Sequence, residues 1–97
     1  MSENADVFEE LFDVIEARKA DLPADSYTAS LFTDEDGQDA VLEKIGEEAT
    51  EVIIAAKNAE DDRLTAESAD LVYHLLVLLA MHDLELADLR AELAERR

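Results

Sequence analysis

Five acidic residues stand at spacings that suit chemistry: Glu47, Glu48 and Glu51, then Glu67 and Asp70. Residues three apart share a helix face, so Glu48 pairs with Glu51 and Glu67 with Asp70. In an antiparallel helical hairpin, facing residues have a nearly constant residue-number sum. Glu48 with Asp70 and Glu51 with Glu67 share one sum, so the two pairs face each other at about one level. Four carboxylates that converge repel unless a cation lies between them. A hard divalent ion with oxygen preference, such as Mg²⁺, resolves the repulsion. Such an ion keeps some waters and takes phosphate oxygens as further ligands, which makes a nucleotide phosphate chain the natural substrate class.

The competing reading is chance. Acids fill 26 of the 97 positions, and a solvated acidic surface produces such spacings unaided. Two features favour a site. Glu67 and Asp70 open an otherwise apolar segment, where unpaired acids are costly. Lys44 lies one turn before Glu48 on the same stripe, although an i,i+4 ion pair explains it more simply. Gly46 inside a helix costs about 1 kcal/mol against Ala, and close helix packing is its simplest role. His74 follows Asp70 by four and so can reach the site, but a core histidine satisfied by a neighbour is the simpler reading. His82 reads as structural. Neither histidine has Glu three positions before it, as a di-iron bundle requires. There is no glycine-rich phosphate loop, no nucleophile triad and no cysteine.

The elements that must position these residues are helices. Two glycines and one proline leave few breaks. Val7, Phe8, Leu11, Phe12 and Ile15 recur at helical spacing, and that stretch ends near Pro23. Residues 25–32 form a polar connection holding one short helical turn, and 34–37 are the clearest loop. A second long helix spans about Gln38 to Lys57, with Val41, Leu42, Ile45, Ala49, Val52, Ile53 and Ala56 as its apolar stripe. A third spans about Arg63 to His82. From Leu71 to Met81 it is apolar nearly all round, which demands cover on every side. One small chain supplies too little, so a homodimer with this helix at its centre is expected. The last helix carries Leu86, Leu89 and Leu93, with Asp83 as the expected N-cap.

Length and composition bound the rest. Ninety-seven residues make a single domain. A formal net charge of −18 argues against nucleic acid and anionic membranes as partners. No apolar run is read as reaching membrane-spanning length, and residues 1–6 lack a signal-peptide shape. A 48% hydrophobic content excludes a disordered acidic tail. The expectation is a soluble cytoplasmic domain. Only Lys19, Lys44 and Lys57 are lysines, and an acidic, lysine-poor surface suits a salt-rich cytoplasm, where like-charge repulsion is screened. An acidic face for a basic partner is the alternative.

The segments Leu42 to Asn58 and Glu67 to Val77 closely resemble the phosphoribosyl-ATP pyrophosphatases of histidine biosynthesis. The wider Glu-Glu-x-x-Glu and Glu-x-x-Asp pattern is that of the MazG-like all-α nucleotide pyrophosphatases. Ser26-Tyr-Thr-Ala-Ser-Leu31 is the more discriminating segment. The resemblance covers about residues 7 to 95. It implies an all-α bundle of about four helices per chain, completed by homodimerisation. It also implies hydrolysis of phosphoribosyl-ATP to phosphoribosyl-AMP and pyrophosphate, with Mg²⁺ held by Glu48, Glu51, Glu67 and Asp70. Glu47, beside them, would orient or deprotonate the attacking water, with a supporting or surface role as its alternative. Lys44 and Lys57 would contact phosphates, and Ser26, Tyr27 and Thr28 would help hold the substrate. Two rival functions stand beside this one. One is a house-cleaning dNTP pyrophosphatase with the same metal site. The other is a non-catalytic acidic helical interaction protein.

Overall fold

The computed structural model describes residues 6–97. The polar N-terminal stretch, residues 1–5, lies outside the described residues. Those described form five helices and no strand: α1 (Val7–Asp21), α2 (Tyr27–Thr33), α3 (Asp39–Lys57), α4 (Asp61–Met81) and α5 (Leu86–Ala94). The fold is all-α, with one helix more than the expected four or so. The addition is α2, a helix of seven residues. It forms because the Ser26 hydroxyl accepts the Ala29 N–H at 3.1 Å, satisfying a donor that a helix start leaves open. Its Ala29 and Leu31 then enter the core.

α3 and α4 form an antiparallel hairpin, the most extensive pairing in the chain, and α1 packs on both α2 and α4. Phe12 and Ile15 of α1, Leu31, Val41 and Leu86 converge on Leu76, Val77 and Ala80 of α4. The core therefore sits on the C-terminal half of α4. The other half projects with the C-terminal half of α3 as an open hairpin, where Ile53 and Ile54 remain exposed. By length and composition α4 is a candidate membrane span, with a mean hydropathy of 1.4 over its qualifying window. That corrects the expectation that no segment reaches this length. The apolar run reads from Leu71 to Met81, and the segment before it, with Glu67 and Asp70, is apolar enough on average to extend it. In the fold α4 is the helix on which α1 and α3 pack.

Three helices end without glycine. Leu22, Ala59 and Asp83 take left-handed backbone at φ 51°, 55° and 58° after α1, α3 and α4. There the chain reverses while the last carbonyls find donors: Leu22 N–H reaches Arg18 O at 2.9 Å and Leu84 N–H reaches Leu79 O at 3.0 Å. Asp83 thus closes α4 and does not cap the next helix. Glu85 caps α5 instead, in a reciprocal capping box with Asp88.

Candidate active site

Two elements bring the site together: the α3–α4 hairpin and the N-terminus of α2. Glu48 leaves α3 on the face turned toward α4, and its side chain is only 12% exposed. Glu48 Oε1 lies 2.8 Å from His74 Nδ1. It sits off the N–H axis, so it is buried and carries no hydrogen bond. The Nδ1 atom is instead aligned with the Asp70 carbonyl oxygen, one turn back, at 3.0 Å. Both neighbours of Nδ1 are acceptors, so this nitrogen carries the ring proton. Nε2 then holds the lone pair and accepts from the Tyr27 hydroxyl at 2.9 Å. Burial, followed by the nearby Tyr73, Glu48 and Asp70, holds the Tyr27 phenol above its ordinary value. It therefore stays protonated and able to donate.

The adjacent residue makes a second tie. Thr28 Oγ1 and the Tyr73 hydroxyl form a hydrogen bond. The Tyr27 and Tyr73 rings are stacked at 6.3 Å, and His74 meets Tyr73 edge-on at 4.8 Å. The N-terminal turn of α2 is thereby fixed to the α4 segment that carries Asp70. Tyr27 is thereby brought to the imidazole that lies against Glu48, and the charges of Glu48 and Asp70 both act on it.

The outer level of the hairpin is arranged differently. Arg63 of α4 closes on the Glu51 carboxylate across the hairpin, and its other terminal nitrogen lies 3.6 Å from Glu60. Glu51 and Glu67 are half-buried, and Asp70 is exposed. Among the described residues, no three Asp, Glu or His side chains stand close enough to hold one ion. Lys44 reaches Glu47 at 4.0 Å, not Glu48, and both are well exposed. Lys57 is exposed in the last turn of α3. His82 is bonded to Gln38 at 2.7 Å, well away from these carboxylates in the chain. The cavity of about 450 Å³ between α1 and the α4–α5 connection contains none of the site residues.

Among the described residues the carboxylates do not converge into a ready ligand set, and the one feature that suits a hard cation is at Glu48. There Oε1 is buried with no hydrogen bond. A buried carboxylate oxygen in that state is unfavourable until a positive charge meets it. Sequence reasoning missed Arg63, and it read His74 chiefly as core. The signal for Arg63 was its position four residues beyond the hairpin turn, nearly level with Glu51. For His74 it was the i,i+4 spacing from Asp70.

The chain is an all-α protein whose helical hairpin carries Glu48, Glu51, Glu67 and Asp70 and is flanked by a tethered Ser-Tyr-Thr turn. Comparison with known proteins narrows the class. Residues 8–97 match the family model described as phosphoribosyl-ATP pyrophosphohydrolase. The phosphoribosyl-ATP pyrophosphatase of Haloarcula marismortui is 64% identical over 95 residues, covering 98% of this chain and 97% of its own length. That of Natronomonas pharaonis is 65% identical over 92 residues, 95% and 91% of the two chains. That of Pelotomaculum thermopropionicum is 56% identical over 92 residues, 95% and 92% of the two. The chain belongs to the phosphoribosyl-ATP pyrophosphohydrolase family.

Proposed function

We propose that this chain is a single catalytic domain that hydrolyses phosphoribosyl-ATP between its α- and β-phosphates, giving phosphoribosyl-AMP and pyrophosphate in histidine biosynthesis. Family membership supports the reaction. The observation that carries the site is the buried, unpartnered oxygen of Glu48 beside the Ser26–Thr28 turn. Glu48, Glu51, Glu67 and Asp70 would hold Mg²⁺. When bound, the ion supplies charge stabilisation on the phosphate oxygens and acidifies water.

The chain's own residues do the rest. Glu47, exposed beside Glu48, orients the attacking water and takes its proton. Lys44 and Lys57 lie on the same helix as Glu47 and offer positive charge to the phosphates. Ser26, Tyr27 and Thr28 hold the nucleotide against the hairpin. Net water addition breaks one phosphoanhydride bond, and pyrophosphate leaves with the electron pair.

The assembly is a homodimer, supported by Leu42, Ile53 and Leu75, which remain exposed on the hairpin. The net charge of −18 is a halophilic adaptation to a salt-rich cytoplasm, in keeping with relatives from halophilic archaea.

The test is pyrophosphate release in molar salt with Mg²⁺, comparing phosphoribosyl-ATP with ATP and the dNTPs. Strong preference for phosphoribosyl-ATP is expected. Preference for dNTPs would keep the metal site and move the function to nucleotide-pool cleansing. No release by a folded protein would leave a non-catalytic binding role.

A further inference from the structure

His74 is the one polar side chain fully inside the core among the described residues, at 5% exposure. The proposed reaction does not use it. Its position is nevertheless costly to provide. α4 places an imidazole where leucine would pack, and both ring nitrogens must then be satisfied. They are satisfied by two different parts of the site. Nδ1 faces the Asp70 carbonyl and the Glu48 carboxylate, and Nε2 faces the Tyr27 hydroxyl. Among the described residues, no other side chain sets one polar atom against Glu48 and another against the Ser26–Thr28 turn. Thr28 meets the Tyr73 hydroxyl, whereas His74 Nδ1 lies 2.8 Å from Glu48 Oε1.

We infer that His74 is a positioning residue that braces the substrate-holding turn against the metal-holding carboxylates, so that the Tyr27 hydroxyl tunes the cation affinity of Glu48 through the imidazole. The inference rests on the assignment of Glu48 as a metal ligand. The physical reason is orientation. The Tyr27 bond fixes the tautomer and the ring plane, which fixes the N–H that lies beside Glu48. Partners one step behind a ligand matter in this manner, and losing one typically costs about 10–100-fold in affinity or activity. Tyr27 stands one step further back, so its effect is smaller.

Mn²⁺ is the probe, titrated without nucleotide and followed by its free-ion electron paramagnetic resonance signal in molar salt. Wild type, Tyr27→Phe, His74→Asn and the double variant form a cycle, each checked for native helicity. Asn keeps an amide near the Nδ1 position and abandons the one near Nε2. The expected result is that Tyr27→Phe weakens Mn²⁺ binding about three- to tenfold in the wild-type background, below the direct range given above, and has no further effect when His74 is Asn. In turnover, Tyr27→Phe then lowers kcat as well as raising KM, and His74→Asn does the same. Unchanged Mn²⁺ affinity in Tyr27→Phe, with only KM raised, would overturn the brace and leave Tyr27 a substrate contact. So would independent, multiplying effects of the two substitutions. Should His74→Asn fail to fold, Tyr27→Phe alone decides between a changed and an unchanged Mn²⁺ affinity. A wild type that binds no Mn²⁺ would remove the metal assignment itself, and the brace with it, a result distinct from normal binding without coupling.

Discussion

Arg63 closes on Glu51 across the α3–α4 hairpin, so one of the four carboxylates proposed to hold Mg²⁺ already carries a cation from the protein. Both side chains are about two-fifths exposed. An ion pair of that exposure contributes at most about 1 kcal/mol, and less in molar salt. Arg63 therefore competes with the metal more than it supports the fold. Arg63→Gln is expected to tighten Mn²⁺ binding severalfold while leaving the melting temperature in molar salt nearly unchanged. Weaker Mn²⁺ binding in the variant would mean that Arg63 orders Glu51 for the ion instead.

Glu48 is the residue where stability and function should oppose each other. Its Oε1 is buried with no hydrogen bond, although the His74 Nδ1 lies 2.8 Å away, and a carboxylate oxygen left so costs stability until a cation arrives. Glu48→Gln removes the charge and keeps the shape. Without divalent ions the variant should melt at or above the wild-type temperature, a gain of about 1 kcal/mol at most. Added Mg²⁺ should raise the wild-type melting temperature, since a ligand that binds only the folded state stabilises it, and leave the variant unmoved. Pyrophosphate release should fall by orders of magnitude. A variant that keeps Mg²⁺-dependent turnover would sink the ligand assignment.

Lys19 ties α1 to the end of α4 by two bonds: to the Ala80 carbonyl at 2.7 Å and to Asp83 at 2.6 Å. The Lys19 hydrogen bond first, then its charge, holds the Asp83 carboxyl below its ordinary 3.8. A depressed carboxyl binds its proton later in the folded state than in the unfolded one. Its contribution is therefore fully present above about pH 4 and is lost as the pH falls through the folded-state value. The stability difference between wild type and Asp83→Asn should be flat from pH 5 to 7 and shrink in more acid solution. It should also shrink in salt, because Asp83 is exposed. Denaturant titrations at several pH values would read this directly. A difference that grows on acidification would contradict the pairing.

The helices were legible where many residues repeat one signal. α1 shows its period through Val7, Leu11 and Ile15 and its stop through Pro23. The long apolar run of α4 likewise announced the core. The ends were less legible, because Ala59 and Asp83 turn the chain left-handed without the glycine that usually marks such a place. α2 was legible only as one short helical turn, because seven residues offer little period and its main signal is one serine cap. The carboxylates of the site follow from i,i+3 spacing on single helices, which sequence displays. The partners of Glu48 and Glu51 do not. His74 meets Tyr27 only because α2 folds back on α4, and Arg63 stands next to the acidic hairpin connection, where its reach to Glu51 depends on the turn.

The last prediction concerns the hairpin face left open by α1 and α2. Ile53 is 59% exposed, Leu42 45% and Leu75 40%, and all three lie on the two helices that carry the site. About half of each side chain remains to be covered, so each contributes roughly half of the 1.5–3 kcal/mol of complete burial, on both copies, in favour of pairing and against the cost of association. Opposing it is the repulsion between two chains of net charge −18, which salt screens. The wild type should therefore be a dimer in molar salt and dissociate as salt is removed, as read by light scattering after size exclusion. Leu75→Glu places a charge where contact is required and should yield a monomer even in molar salt. Leu93→Glu is a control. Leu93 is more exposed than Leu75, at 57%, but lies on α5, outside the hairpin, and its replacement should leave the dimer intact. If both variants dissociate alike, the interface is not the hairpin. If the wild type is monomeric at every salt concentration, the open face does not bind a second copy, and the apolar half of α4 needs another account.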